Sequence, residues 1–181
     1  MISRLVCNAT SKKPDGYMGR TKDIVRLQKF CDEDLKVPSI VRFFGKGGMT
    51  AERLDLKLLH ALRAFHSHLV VLILSGNDVS AISSPRRIAG DVLRLRNAIL
   101  DDGVQEVYLC GIIERGTFPR NGDLTHRSLN AQRKKINEIL RESGRYLCVK
   151  TIRFPKQYSK GLVHLNETGW MKYFLIYVVM F

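Results

Sequence analysis

The chain has 181 residues, 45% hydrophobic and 26% charged, which suits one globular domain and argues against a disordered or collagen-like chain. A net charge of +13 leaves two readings of the surface open: solvated basic groups, or contact with an acidic partner such as nucleic acid. Cys7, Cys31, Cys110 and Cys148 form no CxxC pair and have no histidine at ligand spacing, which argues against a zinc site and for reduced thiols in the cytosol.

The opening MISRLVCNATSKKPDG lacks the apolar core of a signal peptide. No strand is expected there; Ile24, Leu27 and Phe30 suggest a helix from about Thr21 to Leu35. Ser39–Phe44 reads as a first buried strand, and Leu54, Leu58, Ala61 and Phe65 mark one stripe of the helix after it. His68–Leu74 is apolar almost throughout, as a strand covered on both faces is. Ile88, Val92, Leu95 and Ile99 form the next helical stripe, with Ser84 as N-cap and Pro85 at the first helical position. A third strand is expected over Gln105–Ile112. Leu129, Ile136, Ile139 and Leu140 then mark a basic helix from about Leu124 to Glu142, stopped by Gly144. A last strand is expected over Leu147–Ile152. The apolar run Phe174–Phe181 is far shorter than the roughly 20 residues that span a bilayer, so no membrane span is expected.

Strand–helix–strand repetition predicts an α/β domain with a parallel sheet and helices on both faces, a three-layer α/β/α arrangement. Ligands in such sheets bind at the carboxyl ends of strands. That directs attention to Gly45–Thr50, Ser75–Ser83, Ile113–Asp123 and Arg153–Asn166. The first loop is glycine-rich and can aim backbone N–H groups at an anion or oxyanion, but it lacks P-loop spacing. In the second, Leu74-Ser75-Gly76-Asn77-Asp78, the Asn77 amide can serve as a neutral donor in the crevice. Both loops have plain turn readings as well. Near the C-terminus stands Gly161-Leu162-Val163-His164-Leu165-Asn166. His60, His66, His68 and His126 read as structural or solvated.

Taken in order, the glycine-rich loop, the S-G-N-D turn and V-H-L-N resemble the SGNH (GDSL-type) hydrolase family over roughly Ser39 to Tyr173. The resemblance implies a flavodoxin-like sheet and a serine esterase or lipase acting on carboxylic esters, with no cofactor or metal. By it, Gly48 matches the oxyanion-hole glycine, with Thr50 in its tail. Asn77 matches the oxyanion asparagine and Asp78 its partner, while Ser75 replaces a usual glycine. His164 matches the base, but Gly161 stands where the triad aspartate belongs. Of the nucleophile block only the tail matches, at Met1-Ile2-Ser3-Arg4-Leu5, so the serine and the first central strand are missing. Ser3, expected on an incipient helix, is a poor substitute. The resemblance thus implies a domain over 1–173, incomplete at its N-terminus and inactive as written, either degenerate or truncated, followed by an apolar tail over 174–181. A small ester or acylated compound is the implied substrate. The alternatives are a basic nucleic-acid-binding protein, suggested by the charge and by Arg127 to Lys135, or a non-catalytic scaffold that reuses the crevice.

Overall fold

The computed structural model describes residues 2–9, 40–53, 55–74, 76–80, 82–116, 125–148, 152, 154–158, 165–166 and 168–169. The elements in chain order are β1 (Ile2–Ala9), β2 (Ile40–Gly47), α1 (Leu56–Ala64), β3 (Leu69–Ile73), α2 (Pro85–Asp101), β4 (Glu106–Cys110), α3 (His126–Glu142) and β5 (Tyr146–Leu147). The expected helix over 21–35 and the tail over 174–181 lie outside the described residues.

The strands form one sheet in the order β2-β1-β3-β4-β5. β3, β4 and β5 are parallel, with Val70 opposite Val107 and Leu109 opposite Tyr146. The α/β class is therefore as expected, but the sheet is not parallel throughout. Ile2–Ala9, where no strand was expected, is β1, antiparallel to both neighbours. Ser3 accordingly lies on a strand opposite Lys46 and not on a helix. The reason is general: a short apolar run such as Leu5-Val6-Cys7 suits a strand, yet neither pairing nor direction is written in its own periodicity. This direction puts Ile2 opposite Gly47, at the end of the sheet where β2 and β3 finish.

The helices form for local reasons and then bury one stripe each. Asp55 caps α1 by accepting from Lys57 N–H at 2.9 Å, and Leu58 and Leu62 face the core. Phe65 closes that helix and meets Phe44 edge-on, ring centroids 6.1 Å apart. In α2, Pro85 supplies a preset first turn, and Ile88, Val92, Leu95 and Ile99 are buried as their spacing predicts. Ser84 has the extended N-cap conformation, but its hydroxyl makes no capping bond. In α3, Thr125 accepts from Ser128 N–H, Leu129, Ile136 and Leu140 are buried, and Gly144 ends the turn at φ +91°. Val70, Val71, Leu72 and Leu109 are essentially inaccessible, so both faces of β3 are covered.

Two boundaries differ from expectation. Among the described residues the last strand is Tyr146–Leu147, one residue earlier in its start than expected, with residues 149–151 outside the described ones; Cys148 is exposed, whereas Cys110 is buried as expected. The first loop starts at Gly48, because Gly45 to Gly47 continue β2.

Candidate functional site

Two loops meet at the carboxyl ends of β2 and β3. Gly48 leaves β2 with φ +73°, a left-handed conformation that strains any residue with a Cβ. Met49 turns inward, and Thr50 Oγ1 accepts from Arg53 N–H at 3.1 Å, tightening the turn. After β3, the turn Gly76–Asp78 brings two side chains back to this loop. Asn77 Nδ2 donates to the Met49 carbonyl at 3.0 Å, and Asp78 Oδ1 accepts from Ala51 N–H at 3.0 Å. The adjacent turn residues thus tie the second loop to the first.

These residues line a hollow of about 420 Å³ whose walls include Gly48, Thr50, Asn77, Asp78, Ser83 and Asp91. The Ser83 hydroxyl is engaged by Ser80 and by Gln132, so the hollow does not present it as a nucleophile. Its electrostatics are uneven. Burial first, then the charges of Asp91 and Glu52, push the Asp78 carboxyl up to about 6, while its bond from Ala51 works the other way. Asp78 Oδ2 has no hydrogen-bond partner among the described residues. Asp91 is paired with Arg94, and Glu52 with Arg87.

The next loop supports this one from below. Arg115 is 3% exposed, and its guanidinium donates to the Gly76 carbonyl, just ahead of Asn77. Burial holds its pKa below the ordinary arginine value. The Arg115 carbonyl lies 2.5 Å from His126 Nε2, and the His126 ring stacks on Phe154 at 5.6 Å between centroids. Glu114 binds Asn130 Nδ2 at 2.8 Å, and its carbonyl accepts from the Tyr158 hydroxyl. Burial raises the pKa of that hydroxyl, so it remains a donor at neutral pH. Tyr158 in turn bridges Leu165 in antiparallel fashion, and Asn166 Nδ2 donates to the Lys156 carbonyl at 3.0 Å.

Of the residues singled out from sequence, Gly48, Thr50, Asn77 and Asp78 come together in one hollow. His164, Gly161 and Ser75 lie outside the described residues. His60, His66 and His68 are exposed and none lines this hollow. Sequence reasoning missed Arg115. It had marked the loop Ile113–Asp123, but nothing in the loop's composition separates a buried arginine from the many solvated ones. Among the described residues no group of histidine, cysteine and carboxylate side chains could hold a metal ion, and no helix is long and apolar enough to cross a membrane.

Three parallel strands, β3, β4 and β5, with helices in the connections, and polar loops gathered at the carboxyl ends of β2 and β3, define an α/β fold. More particularly, the chain is similar to the crystal structure of a GDSL-like lipase from Bacteroides thetaiotaomicron. The TM-score is 0.56 at 15% identity, over 74% of this chain and 71% of the lipase. At that identity the likeness is one of fold: a distant SGNH-like fold. No protein-family model matches the chain, and no curated protein does.

Proposed function

We propose that the chain is an SGNH hydrolase-like domain whose hollow between the Gly48 and Asn77 loops receives the carbonyl end of a small carboxylic ester or acyl group. The single observation that carries this is the meeting of Gly48 and Asn77, far apart in sequence, on one hollow at the carboxyl edge of the sheet. In this reading Gly48 N–H and the Asn77 amide stabilise the developing oxyanion, each worth about 3 kcal/mol of barrier. The Met49 carbonyl holds one Asn77 N–H and so orients the amide plane. His164 would be the base. With Gly161 where a carboxylate would orient the imidazole, the base is poorly held and acyl groups are bound with little turnover.

The test is a gain of function. The 181-residue chain is expected to give no p-nitrophenyl acetate turnover and no fluorophosphonate labelling. A chain with Gly-Asp-Ser placed before Met1 and Gly161→Asp is expected to give both, with Asn77→Ala lowering kcat by roughly 10²–10³. An inert extended chain, or one indifferent to Asn77→Ala, sinks the proposal.

A further inference from the structure

Arg115 stands in the loop after β4, is 3% exposed, and takes no part in the walls of the hollow. Its guanidinium reaches past its own loop to the preceding one and donates to the Gly76 carbonyl. That carbonyl belongs to the peptide that leads into Asn77. Holding it fixes the plane of that peptide, and the plane sets the direction in which the Asn77 side chain leaves the backbone. Gly76 has no Cβ to resist rotation, so the constraint must come from outside the turn. The Asn77 amide is held at its far end as well, by donation to the Met49 carbonyl at 3.0 Å.

The backbone that carries Arg115 is anchored on both sides. The Glu114 carbonyl accepts from the Tyr158 hydroxyl, and the Arg115 carbonyl lies 2.5 Å from His126 Nε2. The loop after β4 does not need this guanidinium for its own closure. Ile112 exchanges both backbone groups with Asn137, and Arg133 donates to the same carbonyl at 3.0 Å. A turn carbonyl such as that of Gly76 is satisfied well enough by water or by a neutral amide. Burying a guanidinium there carries a desolvation cost, and the same burial holds the Arg115 pKa below its ordinary value. What sets the guanidinium apart from a water or an amide is a charged, planar fork of donors. It holds the direction of the carbonyl as well as its distance. A cost of this kind, spent on one peptide next to Asn77, fits a part whose geometry has to be exact to a fraction of an ångström.

We infer that Arg115 is a positioning residue for the oxyanion hole: by holding the Gly76 carbonyl it fixes the turn into Asn77 and aims the Asn77 amide at the hollow. The inference rests on the acyl-binding reading for what that amide does, and on the geometry alone for how it is held.

Two measurements separate those parts. In the 181-residue chain, NMR hydrogen exchange of side-chain amides reads Asn77 directly, its signals assigned by their loss in Asn77→Ala. Arg115→Met is expected to speed exchange at the Asn77 amide about tenfold, while the Asn137 amide in the neighbouring loop changes less than about twofold. Arg115→Lys keeps a cationic donor and is expected to fall between parent and Arg115→Met. The second measurement uses the chain with Gly-Asp-Ser before Met1 and Gly161→Asp. There Arg115→Met is expected to lower kcat for p-nitrophenyl acetate about tenfold or more, with KM held within about threefold. In an Asn77→Ala background the same change is expected to cost less than about twofold, because the group it positions is gone. If Arg115→Met does not fold, Arg115→Lys carries both predictions with smaller shifts. Unchanged exchange at Asn77, equal loosening of Asn77 and Asn137, or a kcat loss fully additive with Asn77→Ala would overturn the inference. An inert extended chain in which Asn77 exchange still answers to Arg115 would count against the acyl-binding reading and for the positioning role.

Discussion

The loops that leave β3 and β4 start one strand apart at the same edge of the sheet, and they treat buried polar groups in opposite ways. After β4, Ile112 N–H donates to Asn137 Oδ1 at 2.8 Å, and the Ile112 carbonyl accepts from Asn137 Nδ2 at 2.9 Å and from Arg133 at 3.0 Å. Asn137 thus takes the place of a neighbouring strand, and every group in the exchange is paired. After β3, Asp78 has its bond from Ala51, one carboxylate oxygen without a partner among the described residues, and two further carboxylates close enough to raise its pKa. A closed polar exchange fixes geometry at little cost. A half-paired carboxylate carries an unrecovered desolvation cost, the pattern that binding crevices tolerate and scaffolds avoid.

Five substitutions break or sharpen that contrast. Asn137→Leu strips the Ile112 N–H of its buried acceptor and is expected to cost about 3 kcal/mol in urea unfolding. A loss below 1 kcal/mol would mean that water replaces the asparagine easily, and the contrast would lapse. Asp78→Asn should act in the other direction, with a sign set by pH. The folded pKa of about 6 lies above the ordinary carboxylate value of 3.8, so the native state holds the proton more tightly. That stability is complete below the unfolded pKa and is lost as pH rises through about 6. The asparagine variant keeps the acceptor for Ala51 and loses the titration. It is expected to be more stable than the parent by about 2 kcal/mol at pH 8, with the advantage gone at pH 4. An equal difference at both pH values would show that Asp78 is not the titrating group.

Gly48→Ala tests whether the left-handed turn is required. With φ at +73° and nothing within 4 Å of a built Cβ, the expected cost is backbone strain alone, about 1 kcal/mol in Tm-derived stability. Gly144→Ala, at φ +91° with the same open surroundings, should cost as much, so a clearly larger loss at Gly48 would reveal an additional contact in the first loop. The smallest effect is expected at the opposite edge of the sheet. Ser67 is 5% exposed, and its hydroxyl has no partner among the described residues. Removing the oxygen in Ser67→Ala should be neutral or stabilising by about 0.5 kcal/mol, read from thermal melts.

Helices were the most legible part of the chain. The stripe Ile88, Val92, Leu95 and Ile99 and the stripe Leu129, Ile136 and Leu140 are buried as their spacing required, because a helix repeats its inward face within one turn. Boundaries were less so: α3 begins at His126, two residues after Leu124, since Thr125 can cap and Leu124 cannot. The hollow was partly legible. Gly48 and Asn77 stood out because glycine and asparagine at a strand's carboxyl end have special backbone and donor properties. Arg115 and the raised Asp78 pKa were hidden, because each depends on partners tens of residues away, Gly76 for one and Asp91 with Glu52 for the other.

By itself the sequence determined which stretches bury a face, where the turns fall, and that donors stand at the ends of β2 and β3, because these follow from residue type and spacing over one or two turns of chain. Only the tertiary structure decided that β1 runs antiparallel between β2 and β3, that Asn77 and Asp78 tie themselves to the Gly48 loop, and that one carboxylate there is desolvated. Strand direction and burial of charge are set by neighbours remote in the chain, and no local pattern encodes them.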